Sequence, residues 1–324
     1  MSVSKEDVVW CYRHLLGRDP ESAEAVEAHL NSWPDFKQMI LTFIASSEFL
    51  EPRPNVRLPV TSTVMHLLPP VLPKLEIDVA ATSKELGKCA AKIKAAWEHM
   101  GDERAHYSVL SSEDYMPEKL DTSIDVFWQS GEIEAAQAIR ALDLYGSSQL
   151  AKKVCVEYGC GVGRVTVNLA RHFKLVHAYD ISRNHLEYAR ARAKEVGASN
   201  IEFHECASDF RVALEPCDFF YSAIVLQHNP PPVIMELIRI ALTALKPGGL
   251  AMFQVPTHIT EYRFDLKEWL KTDHELDMQM HCVPQEAVLN LITATGCHLL
   301  GLREDGCTGA PDKIISNTFF CKKE

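Results

Sequence analysis

The sequence contains no run of lysine or arginine, and its 33 basic residues are outnumbered by 44 acidic ones, which gives a formal net charge of −11. An acidic surface repels phosphate backbones and anionic lipid headgroups, so the composition argues against binding to nucleic acid or a membrane surface. No stretch approaches the roughly 20 apolar residues of a membrane span, and residues 1–10 lack the apolar core of a signal peptide. We therefore expect a cytoplasmic protein with no membrane span.

Cysteine and histidine patterns typical of metal or redox sites are also missing. The ten cysteines form no CxxC pair, and most lie in apolar segments, as Cys155, Cys217 and Cys321 do. Buried, reduced thiols are therefore favoured over a zinc site or a redox pair. The 14 histidines include neither an HExxH pattern nor closely spaced His and Asp ligands, so the sequence predicts no metal.

The length of 324 residues exceeds what one hydrophobic core usually serves, which predicts a large domain with smaller additions. Residues 1–50 show three segments with apolar residues at helical spacing and predict a compact helical module. Residues 51–79 contain six prolines and predict an extended linker, because proline blocks helix and removes a backbone donor. Residues 80–146 predict a helical lid, and residues 147–324 a cofactor-binding domain.

The lid segment is predicted as two helices joined by irregular, aromatic-rich chain. Helical patterns cover 83–100, with Ser83 as the cap, and 130–144. Between them, residues 107–115 and 127–131 carry aromatic side chains in no regular pattern. We predict that Tyr107 and Trp128 close over a cofactor or stack on a sugar face, and plain core packing is the alternative.

From residue 153 onward, strand and helix patterns alternate. The predicted strands are 154–158, 175–179, 201–204, 218–226, 250–255, 298–303 and 314–321. The predicted helices are 164–173, 184–196, 233–245 and 284–295. Alternation at these lengths predicts right-handed βαβ units and a doubly wound α/β sheet. The last two strands are close in sequence and predict an antiparallel hairpin at one edge.

The segment Glu157-Tyr158-Gly159-Cys160-Gly161-Val162-Gly163-Arg164 joins the first strand to its helix. Three alternate glycines there let the chain turn tightly and bring bare backbone against a ligand. Asp180 follows at the end of the next strand, 21 residues after Gly159, where an acid can bind a ribose diol. The dinucleotide pattern GxGxxG would need glycine at position 164, which is arginine.

The pattern from Glu157 to Gly163 resembles motif I of class I S-adenosylmethionine-dependent methyltransferases, and the resemblance extends over residues 153–324. Asp180 matches the ribose-binding acid, and Asp218 matches the acid that opens the fourth strand. Leu245-Lys246-Pro247-Gly248-Gly249 matches the turn before the fifth strand. The resemblance implies a Rossmann-like, seven-stranded mixed sheet and S-adenosylmethionine as the cofactor. It assigns cofactor binding to Glu157, Gly159, Cys160, Gly161, Gly163, Arg164, Asp180, Ile181, Ala207, Ser208 and Leu226.

The chain departs from the family pattern at two positions. Ala207 stands where many relatives have an Asp near the adenine amino group. Asn229-Pro230-Pro231 is similar to the motif with which amino methyltransferases hold a planar nitrogen, but its fourth position is Pro232 instead of an aromatic residue. With no ring to stack on a base, and with an acidic net charge, methylation of nucleic acid is rejected.

Two further resemblances concern the biological setting. The segment from Tyr12 to Pro20, followed by Ser46-Ser47-Glu48-Phe49, resembles a small helical module found beside glycosyltransferases and methyltransferases of polysaccharide assembly. The string from Val225 to Pro232 looks like methyltransferases of cell-surface sugar gene clusters. These resemblances imply O-methylation of a sugar or other small polar metabolite, with a homodimer or a glycan-assembly partner held through the N-terminal module.

A hydroxyl acceptor needs a base, and ligands of this fold bind at the carboxyl ends of the strands. His228 directly follows the fourth strand and His258 follows the fifth, so both are candidate bases. A wall or helix-capping role for His228 is the alternative. Gln227, Tyr262 and His281 are predicted to contact the substrate. The competing functions are an NAD(P)-dependent oxidoreductase on the same fold and a non-catalytic scaffold of glycan assembly.

Overall fold

The computed structural model describes residues 3–14, 16, 18–30, 32–33, 36–45, 74–206, 214–272, 278–310 and 313–324. The chain forms two compact units, Met1–Leu72 and Pro73–Glu324. Within the described ranges, no helix is long and apolar enough to cross a membrane. All ten cysteines lie in these ranges as free thiols, and nine of them are buried. Most of the predicted proline-rich linker, residues 51–73, lies outside the described residues.

The first unit contains three short helices, α1 (Lys5–His14), α2 (Ala23–Leu30) and α3 (Phe36–Ala45). The first helix begins after Ser4, whose hydroxyl accepts from the Asp7 amide while the Asp7 carboxylate accepts from the Ser4 amide. This reciprocal capping satisfies two donors that the helix itself cannot pair. One apolar side of each helix faces a common core that includes Val8, Tyr12 and Met39.

The second unit opens with two long helices, α4 (Ser83–Val109) and α5 (Leu120–Leu144). The predicted irregular segment 127–131 is wrong, because Trp128 lies within α5. The predicted segment 107–115 is irregular only in part: Tyr107 lies in the last turn of α4, and the chain leaves the helix at Leu110. Phe127 is fully buried in α5 and packs edge-on against His106 of α4 at 5.1 Å, so aromatic packing between the helices favours helix here. The helix cap is Thr82 rather than Ser83, because Thr82 forms a capping box with Glu85.

A seven-stranded sheet forms the centre of this unit, in the order β4-β3-β2-β5-β6-β9-β8. Its strands are β2 (Val154–Tyr158), β3 (Leu175–Asp180), β4 (Ile201–Glu205), β5 (Cys217–Ser222), β6 (Leu245–Ile259), β8 (Cys297–Asp305) and β9 (Ile314–Lys323). The pairs from β4 to β6 are parallel, and β9 is antiparallel to both β6 and β8. The predicted Rossmann-like mixed sheet and its terminal hairpin are confirmed. Two short strands, β1 (Glu76–Ile77) and β7 (Arg263–Phe264), pair separately.

Shorter helices cover both faces of the sheet. They are α6 (Thr166–Leu169), α7 (Arg183–Glu195), α8 (Pro231–Ala244), α9 (Leu266–Lys271) and α10 (Gln285–Ala294). Apolar side chains of β2 and β5 alternate between the two layers: Val156 and Phe220 face one core, and Cys155 and Phe219 face the other.

Three predicted boundaries differ from the structure. The predicted strand 218–226 ends at Ser222, because Ile224 adopts a left-handed φ of 59° that no strand can continue through. The predicted turn before the fifth strand lies inside β6, where Leu245 pairs with Cys217 across a register shift. The predicted helix 164–173 is reduced to the four residues of α6.

Candidate active site

The glycine-rich loop after β2 has a backbone conformation and close contacts that favour glycine. Gly159 and Gly161 have φ values of 79° and 53°, in the left-handed region. A Cβ on Gly159 would lie 2.2 Å from the Val225 side chain, and one on Gly161 would lie 2.6 Å from that of Val109. The loop backbone is therefore enclosed between the end of α4 and the segment after β5.

This loop forms one wall of a cleft of about 870 Å³, part of it open to solvent, at the carboxyl ends of β2, β3 and β5. We call it the strand-end cleft, and its described lining is Ile93, Trp97, Ser108, Val109, Glu134, Glu157, Tyr158, Gly159, Cys160, Gly161, Arg164, Val165, Asp180, Ile181, His185, Tyr221, Ala223, Ile224, Val225 and Asn229.

Asp180 ties the glycine loop to the start of α7. One carboxylate oxygen accepts from the Gly161 amide at 2.8 Å, and the other accepts from the Ser182 amide at 2.9 Å. A carboxylate has about four lone-pair positions, so both oxygens can still accept from a ligand hydroxyl. Asp180 therefore shapes the loop and keeps capacity to bind a diol.

Glu157 is a buried acid at the base of the cleft. Burial raises the pKa of its carboxyl group to about 8, because the ionised form loses its hydration. Its Oε2 atom has no hydrogen-bond partner in the structure. A buried carboxyl group in this state favours a ligand that brings a donor, and most of all a cationic one.

Arg164 is the basic residue of the cleft lining, and it is buried. Its guanidinium group forms an ion pair with Glu134 of α5 and donates to the Ser130 hydroxyl at 3.1 Å. Tyr221 of β5 donates to the other Glu134 oxygen at 2.5 Å. The Arg164 Nε atom is without a partner. This network joins the lid helix to the sheet and leaves one N–H for a ligand.

His185 of α7 connects α4 to the acid at the end of β3. Its Nε2 atom lies 2.7 Å from the Ser108 hydroxyl, which itself donates to the Ala105 carbonyl oxygen. The Nδ1 atom is buried, has no hydrogen-bond partner and lies 3.8 Å from an Asp180 oxygen. When Nε2 carries the proton, Nδ1 and the Asp180 oxygen are both hydrogen-bond acceptors. A hydroxyl group or a water molecule between them supplies the missing donor.

A second, smaller cavity of about 390 Å³ adjoins the cleft and shares Ile93 and Trp97 with it. We call it the tryptophan chamber. Its apolar lining is Ile93, Ala96, Trp97, Met100, Trp269 and Met278, and its polar lining is His228, Gln279 and His281. The two cavities meet at Trp97, which belongs to the predicted lid.

His228 lies at the polar end of the chamber in a directed hydrogen-bond chain. Its Nδ1 atom donates to the Gln279 carbonyl oxygen at 3.1 Å, and its Nε2 atom then accepts from the Gln227 amide at 3.2 Å. The Gln227 amide oxygen accepts in turn from Gln254, at 2.9 Å. Burial lowers the pKa of His228, so the ring is neutral at physiological pH.

The same chain reaches the cleft through Gln254. Its amide oxygen accepts from the backbone N–H of Ile224, the residue with the left-handed φ. A β-branched residue in that region is strained, and the buried glutamine helps to hold it there. Gln254 therefore links a strained wall residue of the cleft to the histidine of the chamber.

The structure brings most of the predicted cofactor residues together. Glu157, Gly159, Cys160, Gly161, Arg164, Asp180 and Ile181 line the strand-end cleft. Gly163 supports the loop from behind, where a Cβ would lie 3.2 Å from Ala189 of α7. Leu226 is buried in the core beside the cleft. Ala207 and Ser208 lie outside the described residues.

The predicted substrate residues separate into two groups. His228 and His281 line the tryptophan chamber, and Tyr262 lies 2.6 Å from His281, while Gln227 supports His228. The described lining of the two cavities does not include His258, Tyr107 or Trp128. His258 is buried on β6 opposite Ile315, and Trp128 stacks under the guanidinium group of Arg192 at 4.2 Å.

Sequence reasoning missed Trp97, Glu134 and His185. Trp97 and Glu134 lie on the inward sides of α4 and α5, and a helical pattern shows a buried side without showing what it faces. His185 carried a signal, because it follows Asp180 by five residues at the start of the next helix, where side chains point toward the same edge of the sheet.

Comparisons with known proteins agree with this architecture. Residues 155–249 match the model of a family described as "Methyltransferase domain". The matched stretch runs from β2 into β6 and contains the glycine loop, Asp180 and His228. The stretch is therefore similar in sequence to a methyltransferase domain, over 95 of the 324 residues of the chain.

Similar curated proteins include ubiquinone biosynthesis O-methyltransferases. The one from Ralstonia nicotianae is 31% identical over 112 residues, which cover 34% of this chain and 46% of that protein. The one from a Shewanella species is 29% identical over 145 residues, which cover 42% and 59%. The chain therefore spans about half the length of these curated relatives.

Similar solved structures include magnesium protoporphyrin IX methyltransferase from Synechocystis PCC 6803 with bound SAM. It is 15% identical, with a TM-score of 0.49, and the match covers 76% of this chain and all of that one. An N-methyltransferase from Bradyrhizobium japonicum, in complex with S-adenosyl-L-homocysteine, is 18% identical, with a TM-score of 0.47 and coverage of 70% and 98%.

Proposed function

We propose that this protein is an S-adenosylmethionine-dependent methyltransferase that methylates a hydroxyl group of a small metabolite. One observation carries the proposal: three residues that line the strand-end cleft each have a buried polar atom without a partner, namely Glu157 Oε2, Arg164 Nε and His185 Nδ1. Unsatisfied buried polar atoms are costly, so their convergence in one cleft indicates a ligand that completes them. S-adenosylmethionine, when bound, supplies a methyl group on a positively charged sulfur.

The residues of the cleft fit the parts of that cofactor. Glu157 offers a buried carboxyl group to the ammonium group, and Arg164 offers its N–H to the carboxylate. Asp180 and His185 offer acceptors to the ribose hydroxyls. Three acids, Glu134, Glu157 and Asp180, line the cleft with one arginine, which favours a ligand of net positive charge.

The oxidoreductase alternative fits this cleft less well. A nicotinamide dinucleotide carries a pyrophosphate, which such folds bind at a helix N-terminus after a GxGxxG turn. Here Arg164 replaces the third glycine, the following helix α6 has only four residues, and carboxylates line the site. These carboxylates would repel a dianionic pyrophosphate, whereas they attract S-adenosylmethionine.

We assign the acceptor to the tryptophan chamber, because it shares Ile93 and Trp97 with the cleft and has one polar end. Its six apolar side chains favour a ring with an apolar face, which stacks on an indole. A sugar presents such a face on its C–H bonds, and the sequence resemblance favours a sugar or other small polar metabolite. The apolar lining and the names of the curated relatives make a phenol the second candidate.

We assign the base to His228. Its burial keeps the ring neutral, and its hydrogen bond to Gln279 fixes the tautomer in which Nε2 is the acceptor. The acceptor hydroxyl replaces the Gln227 amide at Nε2, so that the proton leaves the hydroxyl as the methyl group is transferred. Gln254, which holds Gln227, keeps this arrangement in place.

The N-terminal unit carries the remaining part of the proposal. Its resemblance to a module of polysaccharide assembly supports a role in that setting, with the first unit binding a second copy of the chain or a glycan-assembly partner. The proposed location is the cytoplasm, where S-adenosylmethionine is made and used.

Calorimetric titration of the full-length protein with S-adenosylmethionine and with reduced nicotinamide dinucleotide tests the proposal. We expect micromolar affinity for the first and none for the second, with binding lost in Gly161→Arg and weakened in Asp180→Ala. Binding of the nicotinamide instead, or unchanged binding in both variants, contradicts it. Labelled-methyl transfer to a panel of sugars and phenols then identifies the acceptor, and cofactor binding without transfer to any cell extract favours the scaffold alternative.

A further inference from the structure

Three metal-ligating side chains meet on the sheet at a position outside the strand-end cleft. Strand pairing places His177 of β3 directly opposite Glu202 of β4, and it places Tyr179 opposite His204. Residues two apart on a strand share a face of the sheet, so the three side chains project from one face. No local sequence pattern indicates this cluster, because His177 and Glu202 are 25 positions apart.

The spacing of the ligand atoms suits a tetrahedral metal ion. His177 Nδ1 lies 3.0 Å from His204 Nε2 and 3.3 Å from Glu202 Oε2, and all three ligand atoms lie within 4.8 Å of one another. Zinc binds imidazole nitrogen and carboxylate oxygen at about 2.0–2.1 Å, which gives tetrahedral edges of about 3.3–3.4 Å. Small side-chain movements therefore bring the three atoms into one coordination sphere.

The protonation pattern supports the same assignment. His177 Nδ1 lies within reach of two acceptors, a second imidazole nitrogen and a carboxylate oxygen. Without a metal, one N–H on His177 is shared between them, and the other two atoms present lone pairs to the same point. A divalent cation placed there replaces the shared proton and receives a lone pair from each ligand.

The surroundings orient two of the ligands and leave the third accessible. His177 is 7% exposed. The ring of His204 stacks on Tyr179, with a centroid separation of 4.6 Å and an interplanar angle of 16°, which fixes its orientation. The Glu202 side chain is 58% exposed, so an ion reaches the site from solvent on that side. Ligands held by packing lose little freedom on binding.

We propose that His177, Glu202 and His204 form a binding site for one divalent transition-metal ion of the zinc class. Two imidazoles and one carboxylate are borderline ligands that suit zinc, cobalt and nickel better than magnesium or calcium. A solvent molecule completes the coordination. The ion joins the edge strand β4 to β3, and it acts on the stability of this edge without contact to the cleft.

Cobalt(II) added to the full-length, chelator-treated protein is the probe, because four-coordinate cobalt absorbs visible light far more strongly than hydrated cobalt. We expect one equivalent to bind with a strong visible band, a rise in Tm, and displacement by zinc. His204→Gln abolishes the band. Glu202→Gln weakens affinity by at least about 10- to 100-fold, the cost of losing even an outer-shell partner of a metal site.

Two controls make the result specific. His99→Gln removes an exposed histidine that also lies near a carboxylate, Glu103 at 3.5 Å, and it leaves the titration unchanged. Cys307→Ser removes the one cysteine that is not fully buried, and the band persists in that variant. If His204→Gln lowers the Tm of the metal-free protein, the affinity of the Glu202→Gln variant decides between metal binding and a loss of fold. The Glu202 side chain is exposed, so its substitution leaves the fold intact. No band, or equal affinity in wild type and Glu202→Gln, overturns the proposal.

Discussion

The strand-end cleft and the tryptophan chamber share Ile93 and Trp97, but they are built from different kinds of residues. Fifteen of the twenty residues that line the cleft lie between positions 157 and 229, most of them at or after the ends of parallel strands, and the other five lie on α4 and α5. The chamber is formed by large side chains from α4, the segment after β5, α9 and residues 278–281. The two cavities, which we propose as the cofactor and acceptor sites, therefore differ in how local their sequence signals are.

The largest effect expected is the loss of the cleft by one added side chain. Gly161→Arg meets Val109 at the first side-chain atom and strains a left-handed backbone, so we expect no measurable S-adenosylmethionine binding. Gly197→Arg is the matched control, because Gly197 has a φ of 72° but open space around it. Calorimetry should show normal binding in the control, at a stability cost of about 1 kcal/mol. Equal loss of binding in both variants contradicts this account of the loop.

The next effect separates chemistry from binding. His228→Ala should lower kcat by about 10²- to 10⁴-fold, the usual contribution of a general base, and leave the Kd of the cofactor unchanged. His298→Ala is the control, because that histidine is exposed on β8. His258→Ala is measured alongside, and the larger loss of kcat identifies the base. Equal loss of kcat and cofactor affinity in His228→Ala instead assigns His228 to the cavity wall.

The contrast between the two sites also explains what could be predicted from the sequence. The glycine loop and Asp180 were identified because their chemistry depends on backbone conformation and on strand ends, which contiguous residues encode. The chamber was seen only in part, through His228 and His281, because Trp97 and Trp269 are separated by 172 residues. Tertiary packing decided that pairing, and no local pattern records it.

In the lid, too, contacts between distant residues could not be predicted from the sequence. Its aromatic segments predicted irregular chain, whereas Phe127 and His106 pack together on two helices, the first of which is kinked at Arg104. Glu134 reached the cleft by the same packing, through its ion pair with Arg164. Secondary structure in the sheet was predictable because buried strands alternate with helices, but the contacts between lid and sheet depend on residues far apart in the chain.

Variants of the chamber test whether its role differs from that of the cleft. Met278→Ala should raise the KM of the acceptor by about 10-fold and leave the cofactor Kd unchanged, because Met278 lines the chamber but not the cleft. Trp97→Ala should weaken both, since Trp97 lines both cavities. Arg303→Ala tests a competing site, for which we expect no change of KM. Arg303 lines a broad groove between α5 and β8 that shares Glu134, Arg164 and Tyr221 with the cleft. A KM effect at Arg303 and none at Met278 places the acceptor in that groove.

The buried acid of the cleft predicts a pH dependence that the chamber does not share. The pKa of Glu157 is raised to about 8 by burial, so below pH 8 the empty site holds a neutral carboxyl group. A cationic ligand favours the ionised form, so binding releases a proton, and affinity should rise up to about 10-fold between pH 6 and 8. Glu157→Gln cannot ionise, and calorimetry should show a flatter profile. An unchanged slope in that variant contradicts the role of Glu157.

The smallest effect concerns the lid. Burial lowers the pKa of His106 from 6.5 to about 4, and the nearby His185 adds to this shift. The unfolded chain therefore binds this proton at higher pH than the folded protein, so stability is present above pH 6.5 and is lost as the pH falls toward 4. Since the ring is partly exposed, we expect a loss of about 1 kcal/mol between pH 7 and 5 in urea unfolding. His106→Gln should remove this part of the pH dependence of the unfolding free energy. The control His298→Gln, at an exposed position on β8, should keep it. Equal pH dependence in the two variants would show that the packing of α4 on α5 does not hold His106 neutral.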